Sequence, residues 1–477
     1  MNRLTLVFLS LLAGWSVTLT AHAQSAVPIF SFDASGTNGQ YPEANLTLGS
    51  DGNFYGTTES GGASTNDGTI FKVTTNGTFA TLVNFNGTNG ANPLAALTLG
   101  PDGNFYGTTE YGGNTIGNTN VNGAGLGGGT VFQVTTNGTL TTLVNFAATN
   151  GAYPHGGLLL APDGKFYGTT ASGGPNGLPY GTLFRVTTSG ALTTLTNFNN
   201  SNGADPIAGL TLAPDGNIYD TTQSGGSAGY GTVFEWATNG TLATLANFNG
   251  TNNGVFPSTG LTLGPDGNLY GTTSESYLFA YVIPGYGTIY YPFGNGTIFQ
   301  ITTNGVLTTL VDFDNYDAGI TPNANLTLGP DGNFYGVTAR GGSSGVGTIY
   351  RVTTNGILTT LVSFNNTNGA YSTAGLTLGP DNNLYGPATA GGAGGNGTVF
   401  EFDPCSIALA GSGSGNFTVF AGSYPNSTNR IWATTNLALP SSWQVLGTII
   451  TDTNGVGQLL DTNTAGIPAK FYRLSYP

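Results

Sequence analysis

Leu97-Thr98-Leu99-Gly100-Pro101-Asp102-Gly103-Asn104-Phe105-Tyr106-Gly107-Thr108-Thr109 occurs, with small changes, seven times along the chain; the turn aspartates of the copies are Asp51, Asp102, Asp163, Asp215, Asp266, Asp331 and Asp381. Leu97-Thr98-Leu99 alternates apolar and polar residues, the period of a half-buried strand. Pro101-Asp102-Gly103-Asn104 is turn chemistry: proline presets φ, the aspartate bonds its own downstream backbone, and glycine takes positive φ. Phe105-Tyr106 then resumes residues that favour strands. Each copy therefore predicts strand a, a tight turn and strand b. In the seventh copy Asn382 stands where the others have glycine, and asparagine is the next most tolerant residue at positive φ.

A second pattern lies between these hairpins. Thr69–Val73 reads as strand c, Asn76-Gly77 is a two-residue hairpin signal, and Phe79–Phe85 is strand d. The same unit returns at Thr130–Phe146, Thr182–Phe198, Thr232–Phe248, Thr297–Phe313 and Thr348–Phe364. The polar residues in strand c (Lys72, Gln133, Arg185, Glu235, Gln300, Arg351, Glu401) are expected to be exposed among buried neighbours. Four antiparallel strands in roughly 50 residues mark a β-propeller blade, and seven copies predict a seven-bladed, all-β propeller over 27–403. Strand c of the last copy, Thr398–Phe402, is followed by Asp403-Pro404 and has no strand d. An orphan strand, Val27–Phe32, precedes the first hairpin, and Ile29-Phe30-Ser31-Phe32 aligns with Leu82-Val83-Asn84-Phe85. The expectation is that it completes the last blade and closes the ring, removing an open sheet edge.

Residues 405–477 leave the repeat and show six strand candidates, which predicts a small C-terminal β-sandwich. Residues 1–23 read as a secretory signal: Arg3, an apolar run from Leu4 to Leu19, and Ala21-His22-Ala23 as the cleavage pattern. The expected location is extracellular or at the cell surface. The chain carries 9 basic and 23 acidic residues, a net charge of −14. Without Arg3 it has 8 basic residues and a net of −15. That balance argues against nucleic acid and against anionic membranes as partners, since both are bound by clustered Lys and Arg. Cys405 is the only cysteine, so there is no internal disulfide framework.

The repeat P-D-G-N-F-Y-G-T-T…G-T-[IV]-F-x-V-T-T-N-G-x-x-T-T-L-V-N-F resembles the GloVer tandem repeat of exported Gloeobacter and Verrucomicrobia proteins, and is similar in style to NHL and SMP-30-type propeller blades. The tail, through Thr435-Asn436-Leu437, Trp443, Asp461-Thr462-Asn463 and Phe471–Leu474, resembles a C-terminal β-domain of exported verrucomicrobial proteins. The resemblance implies a propeller and a surface or extracellular setting; it implies no particular activity.

Strand direction puts the tight a–b and c–d turns on one face and the longer b–c and d–a links on the other. Long links on a rigid scaffold are where function tends to sit. One enlarged b–c link, Ser274–Gly294, is aromatic. Tyr277, Tyr281, Tyr286, Tyr290 and Tyr291, with Tyr316 on the same face, are the candidate ligand-binding residues, suited to glycan or protein surfaces; the alternative is that these rings cover neighbouring blades. Asp312, Asp314 and Asp317 are candidate Ca²⁺ ligands, although no EF-hand pattern is present. His155, the one histidine outside the signal, is expected to be a solvated link residue. Glu59 and Glu110 occupy equivalent positions after Gly-Thr-Thr, and the other five copies have no acid there. No catalytic residue is assigned. The first functional expectation is a non-catalytic binding or surface-interaction module. The alternatives are an extracellular carbohydrate-active enzyme using loop carboxylates, and a structural surface protein.

Overall fold

The computed structural model describes residues 24–475 except 64–65, 114–126, 175–178, 251–252, 276, 284–286, 294, 405, 412–416, 423–427, 435–443, 452–455 and 462–470; for 277–283, 287–293 and most of the tail strands it describes the backbone alone. The signal-like segment, Cys405, Tyr286 and most of the enlarged link of the second blade lie outside the described residues.

Seven four-stranded antiparallel sheets follow one another along the chain. In blade 1, strands a to d are Thr47–Leu48, Phe54–Thr58, Thr69–Val73 and Phe79–Asn84. Blade 7 takes strands a to c from Thr377–Leu378, Leu384–Ala388 and Thr398–Phe402, and its fourth strand is Ala26–Ser31 from the start of the ring. The register matches the sequence alignment. Ser31 pairs with Thr398 and Phe30 with Val399, with a bulge between Pro28 and Phe30. In blade 1, Asn84 pairs with Thr69 and Val83 with Ile70, and the bulge falls at the same step. The chain therefore closes as a seven-bladed β-propeller.

The hairpin aspartate is a turn residue, and it also reaches beyond the turn. Asp51 accepts from the Asn53 amide at 3.2 Å and from the Tyr55 hydroxyl at 2.9 Å. The tyrosine–aspartate bond recurs in every blade, at 2.6 to 3.1 Å. In blades 1 to 5 and 7 the polar residue of strand c belongs to the same cluster, which corrects the expectation that it is exposed. Lys72 lies 2.7 Å from Asp51, and Gln133 donates to both Asp102 and Tyr106, at 2.9 and 2.7 Å. Where this residue is itself an acid, the turn asparagine stands between the carboxylates: Asn217 donates to Glu235 at 2.6 Å and Asn383 to Glu401 at 2.6 Å. These side chains are half-buried, and Glu401 is buried. Asn382 has φ 64°, as its substitution for glycine predicted.

The core lies between blades. Tyr55, Ile70, Val83 and Phe85 of blade 1 pack with Leu97, Phe105, Phe132 and Val134 of blade 2. The strand-b tyrosine of one blade meets the strand-b aromatic of the next: Tyr55–Phe105 at 4.2 Å, Tyr106–Phe166 at 4.2 Å, Tyr270–Phe334 at 4.3 Å and, across the closure, Tyr385–Phe54 at 4.4 Å. On the inner side a strand-a threonine hydroxyl donates to the next blade's leucine carbonyl: Thr47 to Leu97, Thr98 to Leu158, Thr211 to Leu261, Thr262 to Leu326, Thr327 to Leu376 and Thr377 to Leu46, at 2.5 to 2.7 Å. Blade 3 has Leu159 at this position, so the seam between blades 3 and 4 lacks that bond.

The six tail strands form where the sequence placed them, as two three-stranded antiparallel sheets. Val419 of one sheet and Ile431, Ala433 and Ile449 of the other share a small core.

Candidate functional site

A cavity of about 560 Å³ opens where all seven d–a links enter strand a. Each link runs from a residue that usually precedes proline into an Ala/Gly-containing pair and then the first strand-a leucine. The small member of each pair keeps the wall thin, so main-chain groups and short polar side chains face the opening. Glu43, Asn45, Ser258, Thr259, Asn323, Asn325 and Thr373 contribute from the links, and Gln223 and Ser274 from the ends of strand b. Strand a runs from this end toward the tight a–b turn, so the cavity lies on the long-link face. No Lys or Arg lines it.

Two asparagines fix the wall. Asn325 accepts from the Gly260 amide at 2.8 Å and Asn45 from the Gly375 amide at 2.5 Å, each across a seam. Asn323 accepts from the Ser258 hydroxyl at 2.5 Å. Gly209 leaves open space, and a Cβ added there would meet nothing within 4 Å.

One sector is titratable. Burial, and then the charge of Glu59, push the Glu43 carboxyl up to about 7. Glu59 is also raised, by burial and by Glu110, with His155 opposing. Glu110 is raised by burial. Burial lowers His155, while a hydrogen bond to the Ile207 carbonyl and the charge of Glu59 work the other way. These groups come from blades 1 to 3, and each is half-buried. His155 is therefore a wall residue spanning the seam between blades 3 and 4, which corrects its reading as a solvated link residue. Glu59 and Glu110 likewise belong to a charge-coupled sector of the mouth.

The structure places the other sequence candidates as follows. Tyr277–Ile283 and Gly287–Phe293 form an antiparallel ribbon, with Tyr277 opposite Phe293, Phe279 opposite Tyr291 and Tyr281 opposite Ile289. The ribbon starts three residues after Ser274, at the rim of the cavity. Tyr290 lies on the second strand, opposite Ala280. Tyr316 opens a short 3-10 turn over Tyr316–Ala318 and is 53% exposed. Asn315 caps that turn by accepting from the Asp317 amide. Asp312, Asp314 and Asp317 are all exposed, and among the described residues no three His, Cys, Asp or Glu side chains converge as a metal site.

The sequence reading passed over the link residues. Tyr41, Asn92, Tyr153, Asp205, Phe256, Thr321 and Tyr371 hold the same link position in blades 1 to 7, and all have φ between 53° and 60°. The signal was available as the residue five before each strand-a leucine. It looked like an ordinary link because only the backbone shows that its conformation is left-handed.

The Gloeobacter/Verrucomicrobia repeat matches residues 14–120, 113–292 and 285–439. No curated protein matches the chain. Among solved structures, a gluconolactonase from Xanthomonas campestris is similar at 13% identity over 69% of this chain and 95% of that one, with a TM-score of 0.38. A puromycin hydrolase is similar at 13% identity over 91% and 61% of the two chains, with a TM-score of 0.42. A protein of unknown function from Dyadobacter fermentans is similar at 10% identity over 96% and 99%, with a TM-score of 0.38.

Proposed function

Because the chain belongs to the Gloeobacter/Verrucomicrobia repeat family, whose repeat here sets seven variants of one link around a single opening, we propose that it is an exported binding protein that takes a glycan end in the axial cavity. The carrying observation is the lining. A cavity of about 560 Å³ falls within the range of about 300–1,000 Å³ usual for small-ligand sites. Its wall offers amides, hydroxyls, main-chain groups, one carboxyl and the His155 imidazole, with no Lys or Arg. Such a wall suits a neutral polyhydroxylated ligand, since each hydroxyl both donates and accepts, and it disfavours an anionic one. The aromatic ribbon and Tyr316 stand on the same face as further contacts.

A second reading rests on one observation. Glu43 keeps its proton to about 7 beside Glu59, the pairing of a proton donor with a second carboxyl that glycoside hydrolysis uses.

Labelled oligosaccharides presented to the protein, with product release followed in parallel, test both. Binding without turnover is expected. Gly209→Phe fills the cavity from a position with open space and is expected to abolish binding; unchanged binding would remove the cavity as the site. The Glu43 carboxylate accepts sugar hydroxyls better than the neutral acid does. Affinity should therefore strengthen as pH rises through about 7, and Glu43→Gln should flatten that profile. Turnover lost in Glu43→Gln would instead establish the hydrolytic reading.

A further inference from the structure

The position held by Tyr41 and Tyr371 is one that the backbone makes unfavourable for a large side chain. In all seven blades it adopts left-handed φ, which bulky residues occupy rarely and at a cost. The link geometry explains why. The residue donates its N–H to the preceding blade's b–c link and accepts from the residue after strand b: Tyr41 to Asn396 at 3.1 Å, and Glu59 to Tyr41 at 3.0 Å. Tyr371 donates to Val346 at 2.9 Å. Asn92 and Asp205 meet this requirement with residue types that tolerate it. Four blades use an aromatic residue nonetheless.

Two of the four have a packing reason. Tyr153 meets Tyr111 edge-on at 5.4 Å, and Phe256 meets Tyr230 at 5.8 Å. Tyr41 and Tyr371 have no such ring partner among the described residues, and they are 40% and 43% exposed. They belong to blades 1 and 7, which adjoin across the Asn45–Gly375 and Thr377–Leu46 bonds. Each stands two residues before a cavity-lining side chain, Glu43 in one link and Thr373 in the other.

We infer that Tyr41, over the seam between blades 7 and 1, and Tyr371, over the seam between blades 6 and 7, form a stacking platform at the rim, which carries the pyranose rings of a glycan whose terminal unit sits in the cavity. Exposed tyrosine faces are apolar surfaces with a polar edge, matching the C–H face and hydroxyl rim of a sugar ring. The inference rests on the glycan reading of the cavity and extends it from a terminal sugar to a chain.

The test uses Tyr41→Asn and Tyr371→Asn, singly and together, because asparagine suits the left-handed backbone and is what blade 2 carries. The probes are labelled glucose, galactose, mannose and N-acetylglucosamine with the corresponding hexasaccharides. A hexasaccharide should bind the unmodified protein more tightly than its monosaccharide. The double variant should lose about tenfold in hexasaccharide affinity with monosaccharide affinity unchanged. The Tyr→Phe pair should retain wild-type binding, and the melting temperature of the Asn variants should hold or rise. Wild-type hexasaccharide affinity in the double variant overturns the platform while leaving the cavity reading intact. Binding that survives Gly209→Phe removes the cavity and, with it, the proposed continuity between cavity and platform. Failure of every saccharide to bind the unmodified protein overturns both.

Discussion

Asp220 occupies the place that glycine holds in the other six hairpins: Gly56, Gly107, Gly168, Gly271, Gly336 and Gly386. A Cβ added to Gly56 would lie 2.5 Å from the Phe71 ring, and one on Gly107 2.6 Å from Phe132, so the repeat packs its strand-c phenylalanine onto bare backbone. Asp220 is fully buried, and among the described residues neither carboxyl oxygen makes a well-formed hydrogen bond. Burial drives its pKa well above the usual carboxylate range. The unfolded chain releases this proton near pH 4, whereas the fold holds it to higher pH. Above pH 4 the unfolded state therefore binds fewer protons, and stability falls as pH rises. Asp220→Gly should stabilise the protein by about 1–3 kcal/mol at neutral pH, the cost of an unsatisfied buried polar group. Calorimetry at pH 8 and pH 4 checks this. The gain in melting temperature should shrink toward pH 4, and a pH-independent difference would mean that the carboxyl's charge is not the cause. The hairpin aspartates Asp51, Asp102, Asp163 and Asp266 act in the opposite sense. For Asp51, burial raises the pKa, but hydrogen bonds from Lys72, Asn53 and Tyr55 overcome it and hold the carboxyl well below its ordinary value. That contribution is present above pH 4 and is lost as pH falls through the folded value. The hairpin aspartate was legible in sequence because its role is local. Asp220 stood in plain sight as a repeat violation, but whether its carboxyl found a partner depended on the neighbouring blade.

Among the elements, the closing strand Ala26–Ser31 has the largest consequence. Phe32 just beyond it is fully buried and meets Phe71 and Phe79 at 5.4 and 5.7 Å, while Phe30 stacks on Phe79 at 3.8 Å. The strand thus completes blade 7 and also fills the seam with blade 1. Removing residues 24–32 should expose Thr398–Phe402 as an open edge, replace a single unfolding transition by a broad one and produce higher oligomers, read by calorimetry and size-exclusion chromatography. A monomer with a sharp transition would show that the ring holds without it. Phe32→Ala alone should cost about 3–5 kcal/mol. This element was readable because its register and its terminal phenylalanine repeat those of every strand d. The polar residue of strand c was misread because alternation along a strand gives its face, whereas its burial comes from the turn aspartate and tyrosine of the hairpin beside it. His155 was misplaced for the same reason: a link residue looks solvated until the ring curls seven links into one wall.

Across the whole ring, the seams are not equal. Besides lacking the strand-a threonine bond, the seam between blades 3 and 4 leaves the buried Thr169 hydroxyl without a partner among the described residues. The equivalent Thr57, Thr108, Thr221 and Thr272 each donate to the next blade's link carbonyl, at 3.2 to 3.3 Å. The same seam holds Asp220, against the cluster of Leu183, Phe198, Leu210 and Phe234. His155 reaching the Ile207 carbonyl is its own crossing bond. Hydrogen exchange should therefore be faster at Leu159–Leu160 and Thr211–Leu212 than at the same strands of other blades, and Leu159→Thr with Asp220→Gly should level the difference; uniform exchange in the unmodified ring would refute a weak seam. By itself the sequence determined the blade, the number of blades, the closure and the face with long links, because each follows from turn chemistry and strand period acting over a few residues and repeated. Only the tertiary structure decided that Glu43, Glu59, Glu110 and His155 share one mouth, that the Asp220 carboxyl is buried without a well-formed hydrogen bond among the described residues, and that Tyr41 and Tyr371 stand on adjoining blades with no described ring to pack on. Those facts depend on which residues the closing ring brings together from links far apart in the chain, and no local period encodes that.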